Sequence, residues 1–340
     1  MIDHETIQEV FAIAEKRRAE RRSFLKMAGG ATAALGTTAF LAGCGNDTTN
    51  GTAGTGPTNG STSPAAPTTS LAASDVDILN FALNLEYLEA NYYISAAFGS
   101  QLNSTYQSGT GTQGAVTGGR QVTFADKTIA AYAREIAADE LAHVAFLRSQ
   151  LGSSAVAMPA INIDGGTSGA FTAAARAAGV VGASGTFDPY ASDDNWLLGG
   201  MLLTDVGVTA YKGSASLIAS KTILEAAAGI LAVEAYHSGL LRTSLYRRGL
   251  NTSTDRTYAD KISDARDSLD GSSDDDQGIS PTTINGGTAS NIVPADSDGI
   301  VYGRTAANVL NVVYLTKSSA TAGGFFPAGL NGNIKASNAN

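Results

Sequence analysis

Two glutamate–histidine pairs have the spacing of metal ligands on a helix. Glu140 precedes His143 by three residues, and Glu234 precedes His237 by the same interval. Because residues three apart lie on one face of an α-helix, each pair can bind one ion through a carboxylate oxygen and an imidazole nitrogen. Oxygen and nitrogen donors without a thiolate suit iron or manganese. The two pairs together therefore predict a site for two metal ions.

The sequence around each pair predicts a helix with one buried face. Apolar residues recur at alternating steps of four and three in 123–151 and in 222–248, which is typical of such a face. The other residues of these faces are Ile129, Ala133, Ile136 and Leu147 in the first stretch, and Ile223, Ala227, Ile230 and Leu241 in the second. A carboxylate buried there is costly unless a proton, a polar partner or a metal compensates it. The alternative to metal binding is a polar network that fixes how the helices pack.

A further helix is predicted over 75–98, and its buried face contains one carboxylate, Glu86. We expect Glu86 to bridge or cap the two ions; the alternative is a hydrogen bond to a tyrosine in the core. Glu89 and Tyr93 are expected beside the ligands.

The helix predicted over 194–218 has a single carboxylate in its middle, Asp205. We expect Asp205 to be a metal ligand, but its orientation stays open because Thr204 lies on the alternative face. The binding of a second ion depends on which face is turned inward.

Polar residues before the apolar periods predict where the helices begin. The candidates are Ser74, Thr123 with Asp126, Asp193 to Asn195, and Thr222 with Glu225. The connection between the second and third helices, 152–192, is long, and that between the third and fourth is very short. This pattern predicts an all-α four-helix bundle with a long crossover. Residues 251–340 lack a strong period, so we expect a loop-rich extension on the bundle, with one short helix over 305–315.

Four segments resemble the ferritin-like superfamily, and more closely its exported branch related to plant desiccation-associated proteins. They are Leu83–Ala90, Asp205–Tyr211, Glu234–His237 and Gly323–Pro327. The likeness extends over residues 74–332 and implies a ferritin-like four-helix bundle over 74–250. It also implies a di-iron or di-manganese site in which the matching ligands are Glu86, Glu140, His143, Glu234 and His237, with Tyr93 next to the metals. The family usually has glutamate in the third helix, where this chain has Asp205.

Residues 1–44 are predicted to be an export signal. Arg21–Lys26 resembles the twin-arginine signal, and Leu41–Cys44 resembles a lipobox, in which Cys44 would be acylated. Residues 45–73 are rich in Gly, Thr, Asn and Ser, and we expect them to form a flexible tether. The expected location is therefore periplasmic or at the cell surface, with a lipid anchor in the membrane. The alternative is an ordinary cleaved signal.

Charge and cysteine content exclude two classes of protein. The net charge is −9, and no basic stripe is present that could neutralise the phosphates of a nucleic acid. The single cysteine excludes a disulfide within the chain. The acidic run Asp274–Asp276 is predicted to be a solvated loop.

The metal site predicts a reaction with O2 or H2O2, as a ferroxidase or a peroxide-scavenging enzyme in stress protection. Two adjacent ions can change oxidation state while bridging carboxylates adjust their geometry. The alternative is a non-catalytic desiccation or stress scaffold with a degenerate metal site. A mineral-storing cage is less well supported, because a lipid tether and long loops do not suit a closed shell.

Overall fold

A computed structural model describes residues 73–340. The predicted export signal, Cys44 and nearly all of the predicted tether lie outside the described residues. The helices are α1 (Ala73–Phe98), α2 (Lys127–Leu151), α3 (Ala170–Ala177), α4 (Asp193–Ala215), α5 (Lys221–Arg248), α6 (Ser253–Asp270) and α7 (Ala306–Tyr314). The strands are β1 (Val116–Gly118), β2 (Ile161–Ile163), β3 (Thr282–Ile284) and β4 (Gly287–Ala289). Within 73–340, no helix is long and apolar enough to cross a membrane.

Helices α1, α2, α4 and α5 form the predicted four-helix bundle. The most extensive packing is between α1 and α2 and between α4 and α5, and α1 also packs against α4. The long crossover between α2 and α4 contains β2, which pairs in parallel with β1, and the short helix α3. The residues predicted to form the inward faces of α2 and α5 are all buried. The all-α, ferritin-like architecture is thus confirmed.

The start of α2 lies four residues later than predicted, at Lys127. The Asp126 side chain accepts a hydrogen bond from the backbone N–H of Thr128 and so caps the helix. The backbone N–H groups of Ala125 and Asp126 donate to the carboxylate of Asp193, at 3.0 and 2.9 Å. These bonds hold the preceding residues outside the helix.

Serines, and not the predicted residues, cap α4 and α5. Ser192 caps α4 by accepting from the N–H of Asn195, and Ser220 caps α5 by accepting from that of Ile223. The N–H groups of Ala219 and Ser220 donate to the carboxylate of Asp75 at the start of α1. This contact ties the short α4–α5 connection to α1, so Thr222 falls inside the helix and is not its cap.

The C-terminal extension is more helical than the sequence predicts. The short helix α7 lies where it is expected, but α6 was predicted as irregular chain. Only two apolar residues of α6 are buried, Ala259 and Ile262, and the rest of its buried side chains are polar or charged. A search for apolar periodicity therefore misses it. Asp276 is also buried, contrary to the prediction of a solvated loop.

Candidate metal centre

The predicted ligands of three helices meet inside the bundle. Glu86 of α1, Glu140 and His143 of α2 and Glu234 of α5 each offer one ligand atom, and these atoms lie within 4.8 Å of one another. All four side chains are buried. Nδ1 of His143 lies 3.3 Å from Glu86 Oε2, 3.3 Å from Glu234 Oε1 and 3.6 Å from Glu140 Oε2.

His237 lies directly beside this group. Its Nδ1 atom is 3.0 Å from Oε1 of Glu140, and its ring centroid is 6.2 Å from that of His143. Both imidazoles thus present Nδ1 to Glu140. Glu234 directs Oε1 to His143, whereas the spacing predicted that it shares an ion with His237. That these residues bind metal remains a prediction. We call Glu86, Glu89, Glu140, His143, Glu234 and His237 the carboxylate–histidine cluster.

The cluster contains buried polar atoms without a properly aligned hydrogen bond, although some lie within ion-pair distance of a neighbour. They are Oε2 of Glu86, both carboxylate oxygens of Glu140, Oε2 of Glu234, and Nδ1 of His143 and of His237. Unsatisfied buried polar atoms are rare and costly. All of them belong to the donor types that iron and manganese accept. The residues present therefore fit a metal centre.

The four carboxylates of the cluster outnumber its two histidines, so partners within the protein balance only part of their charge. Burial raises the pKa of Glu86 to about 8, with Glu140 adding to the rise and His143 opposing it. Burial also raises the pKa of Glu89 well above its usual range, and the Glu234 charge adds to this. Burial tends to raise the pKa of Glu140 too, but hydrogen bonds from His143 and His237 outweigh it and lower that pKa. In the metal-free protein, protons on Glu86 and Glu89 thus neutralise charge that bound cations would otherwise neutralise.

Tyr211 of α4 orients Glu86 and is the core tyrosine of the alternative stated for that residue, although the sequence did not indicate which tyrosine it would be. Its hydroxyl donates to Glu86 Oε1 at 2.5 Å, which leaves Oε2 directed at His143. Tyr211 lies seven residues after Thr204, and hence on the same face of α4, but that signal is weak without knowing which face points inward.

Asp139 orients His237 from the outer side of the bundle and was also missed. Its Oδ2 lies 3.3 Å from Nε2 of His237, so the carboxylate fixes the ring with Nδ1 turned inward. A carboxylate that holds the far nitrogen of a ligating histidine is a recurrent feature of metal sites. The side chain of Asp139 is 38% exposed and does not belong to the apolar face of α2, so the sequence pattern gives no sign of this role.

Glu89 and Tyr93 lie near the predicted ligands, as expected, and Thr204 connects them. The Thr204 hydroxyl donates to Glu89 Oε2 at 2.7 Å and is 2.6 Å from the hydroxyl of Tyr93. All three side chains are buried. Thr204, and not Asp205, is therefore the residue that α4 turns toward this region.

Asp205 does not join the carboxylate–histidine cluster. Its Oδ1 accepts from Ser238 at 2.6 Å, and its Oδ2 accepts from Arg242 and Arg266, each at 2.9 Å. Two guanidinium groups and a hydroxyl thus satisfy both oxygens, which corrects the expectation that Asp205 faces the metals. The cause is the phase of α4: residue 204 faces inward, so residue 205 faces α5 and α6.

Comparison with known proteins supports the same family. The profile of the ferritin-like domain matches residues 74–247, which is just over half of the chain. "Ferritin-like catalase Nec2" of Nesocodon mauritianus is 28% identical over 273 residues, covering 77% of this chain and 85% of the relative. "Desiccation-related protein PCC13-62" of Craterostigma plantagineum is 28% identical over 266 residues, covering 75% and 82%. No solved structure matches the chain. With the bundle and its buried cluster, the profile match shows that the chain belongs to the ferritin-like family.

Proposed function

We propose that this protein is a di-metal oxidoreductase of iron or manganese that acts on hydrogen peroxide in stress protection. The observation that supports it best is the buried group of donor atoms without aligned hydrogen bonds on Glu86, Glu140, His143 and Glu234. A bound cation would compensate the charge of these buried carboxylates. In the proposed reaction, two molecules of H2O2 give two of water and one of O2. One peroxide is reduced and the other is oxidised.

A metal pair held by Glu86, Glu140, His143, Glu234 and His237 would supply the redox chemistry. The protein's own residues would position the ligands, exclude bulk water and hold protons. Glu140 lies between the two imidazoles, and Glu234 contacts that of His143. Tyr211 and Asp139 hold Glu86 and His237 in their orientations. The apolar faces of α2 and α5 keep bulk water away from the cluster. A small oxidant such as H2O2 suits so enclosed a site.

Peroxide is favoured over O2 because one relative is named a ferritin-like catalase. The ferroxidase reaction, in which Fe(II) is oxidised with O2 as the oxidant, would use the same ligands. The two reactions differ in what is consumed, so an oxygen electrode separates them. Peroxide disproportionation releases O2, whereas the ferroxidase reaction consumes it.

The test is O2 release from H2O2 by the full chain after loading with Mn(II) or Fe(II). We expect turnover in the wild type and in Glu225→Gln, a control on the exposed face of α5. We expect loss of turnover in His143→Ala and in Glu140→Gln, because each removes a donor atom from the cluster. A metal-loaded wild type that neither releases nor consumes O2 would refute the oxidoreductase proposal.

A non-catalytic stress scaffold is the second candidate, favoured by the relative named a desiccation-related protein. Elemental analysis of the full chain after incubation with Mn(II) or Fe(II) distinguishes it from an enzyme. A scaffold with a degenerate site would retain far less than one ion per chain after buffer exchange.

We also propose that the protein is exported by the twin-arginine route and anchored by lipid at Cys44. The support is Arg21–Lys26 and the lipobox-like Leu41–Cys44. Cys44→Ser should release the protein from the membrane fraction and abolish incorporation of a labelled fatty acid, whereas Arg21→Lys with Arg22→Lys should block export. Membrane association that persists in Cys44→Ser would contradict the lipid anchor.

A further inference from the structure

The face of α4 that looks into the cluster has no carboxylate. It consists of Gly200, Thr204, Gly207 and Tyr211, which follow one another at steps of four, three and four. Thr204 contacts Glu89 and Tyr93, and Tyr211 contacts Glu86. A Cβ atom at Gly200 would lie 2.9 Å from the Tyr93 hydroxyl. A ligand from α4 is therefore missing, and another element has to supply it if two ions bind.

Glu89 of α1 occupies the space that a side chain at Gly207 would fill. A Cβ atom at position 207 would lie 2.7 Å from Glu89 Oε1 and 3.3 Å from Glu234 Oε2. These two oxygens are thus at most 6.0 Å apart, the sum of those distances. Thr204 holds the other Glu89 oxygen, so the carboxylate is fixed with Oε1 against the gap at Gly207.

Glu140 and Glu234 each turn one oxygen toward His143 and the other oxygen elsewhere. Glu140 presents Oε2 to His143 and Oε1 to His237. Glu234 presents Oε1 to His143 and Oε2 to the gap at Gly207 that Glu89 shares. Two carboxylates that divide their oxygens in this way can bridge two ions. The oxygens turned toward His143 lie beside Glu86, whereas those turned away face His237 in Glu140 and the gap shared with Glu89 in Glu234.

The charge of the cluster agrees with two divalent ions. Glu86, Glu89, Glu140 and Glu234 have four negative charges when ionised, whereas two neutral imidazoles have none. One divalent cation would neutralise two of these four charges and leave the other two carboxylates to be neutralised by protons. Two divalent cations would neutralise the cluster.

We propose that Glu89 replaces the missing α4 carboxylate and binds a second ion together with His237, Glu140 and Glu234. Gly207 is the residue that permits this, because any larger side chain would displace Glu89 Oε1. This inference rests on the metal site of the proposed function but not on its reaction with peroxide.

The test is the number and the magnetic coupling of Mn(II) ions bound by the full chain, which needs no turnover. We expect two ions per wild-type chain by elemental analysis and an exchange-coupled electron paramagnetic resonance spectrum, since bridged ions lie about 3.5–4 Å apart. Glu89→Gln keeps the shape of the side chain but removes a charged ligand. It should bind one ion with the spectrum of isolated Mn(II), because the donors around His143 remain.

Gly207→Ala provides an independent variant that leaves every ligand in the sequence. Its methyl group would lie 2.7 Å from Glu89 Oε1 and should therefore also lower the count to one ion. Glu225→Gln, an exposed change of the same chemistry, should keep two coupled ions. Far-ultraviolet circular dichroism checks that each variant is folded.

Two coupled ions in folded Glu89→Gln would overturn the assignment of Glu89. A single ion in the wild type would overturn the second site while leaving the metal centre of the proposed function intact. No ion in the wild type would refute both. Two ions without peroxide turnover would support Glu89 and count only against the proposed reaction.

Discussion

Two groups of charged side chains are buried in this protein, and they are balanced in opposite ways. The carboxylate–histidine cluster has four glutamates with two histidines, and several of its donor atoms lack aligned hydrogen bonds. The second group, which we call the arginine–aspartate network, joins three arginines to three aspartates. Its members are Asp205, Arg242, Arg266, Asp270, Asp276 and Arg304.

The arginine–aspartate network is neutral within itself. Arg266 donates to Asp205 and Asp276 and to the carbonyl of Met201, while Arg304 donates to Asp270 and Asp276. These bonds connect α6 and the following chain to α4, and Arg242 of α5 joins them by donating to Asp205 and to the carbonyls of Gln277 and Gly278. The network therefore fixes the C-terminal extension to the bundle and needs no cation.

Pairing with arginine distinguishes buried carboxylates that stabilise the fold from those that could bind a ligand. Burial alone does not separate the two groups, because both are almost fully enclosed. What separates them is whether arginine pairs with the carboxylates, although Oδ1 of Asp270 in the network lacks a hydrogen bond. Asp205, the one predicted ligand that lies outside the cluster, accepts hydrogen bonds from Arg242 and Arg266.

The largest expected effect is on the free energy of unfolding of variants in the arginine–aspartate network. Arg266→Met should lower the free energy of unfolding by about 3–5 kcal/mol, because it leaves Asp205 and Asp276 buried with one fewer partner. Denaturant unfolding of the chain with and without Mn(II) measures the loss. We expect the same deficit under both conditions, since the network binds no metal. A deficit that added Mn(II) removes would contradict the division into two groups.

Metal should stabilise the carboxylate–histidine cluster and leave the network unaffected. At a free Mn(II) concentration 100 times Kd, binding to one site raises the unfolding free energy by about 2.7 kcal/mol. A chelator should lower the melting temperature of the wild type accordingly. His143→Ala should lose at least one metal equivalent. Its melting temperature should therefore fall less than that of the wild type when a chelator is added. A wild type whose melting temperature does not change with chelator would contradict metal binding by the carboxylate–histidine cluster.

Asp139→Asn should weaken metal binding by about 10–100-fold, the usual effect of losing a carboxylate that orients a ligating histidine. Isothermal titration calorimetry with Mn(II) measures the change. Asp264→Asn, a matched substitution on the exposed side of α6, serves as control and should bind like the wild type. Equal affinities for Asp139→Asn and wild type would show that His237 needs no orienting carboxylate.

The smallest effect concerns pH. Burial tends to lower the pKa of His237, but Asp139 and Glu140 outweigh it and raise that pKa to about 10 in the metal-free chain. The imidazole is thus protonated at neutral pH, and a metal must displace its proton. Affinity should therefore rise with pH, by about tenfold per unit for each proton released. Titrations in buffers of different ionisation enthalpy count the protons, and a count of zero would contradict the prediction.

Much of the site could be predicted because its ligand pairs are local. Glu140–His143 and Glu234–His237 are set three residues apart within single helices, so their common face follows from helical geometry. The apolar faces of α2 and α5 continue through both pairs in one phase. Helical periodicity alone therefore predicts that these four residues point into the bundle.

The parts that could not be predicted depend on contacts between distant segments. Helix α6 has few apolar residues, and its buried face is defined by Arg266 and Ser263 bound to Asp276. The acidic run that contains Asp276 gives no sign of this pairing in the sequence. Asp139 likewise looks like an ordinary surface residue until His237 is placed beside it.

By itself, the sequence determined that a four-helix bundle would bring two Glu-x-x-His pairs into its interior. Only the tertiary structure decided that Thr204 and not Asp205 faces the cluster, that Glu89 lies against Gly207, and that the arginines satisfy Asp205. The physical reason is that adjacent residues of α4 point about 100° apart. When both neighbouring faces are buried, periodicity cannot choose between them, and the partners on α1, α5 and α6 make the choice.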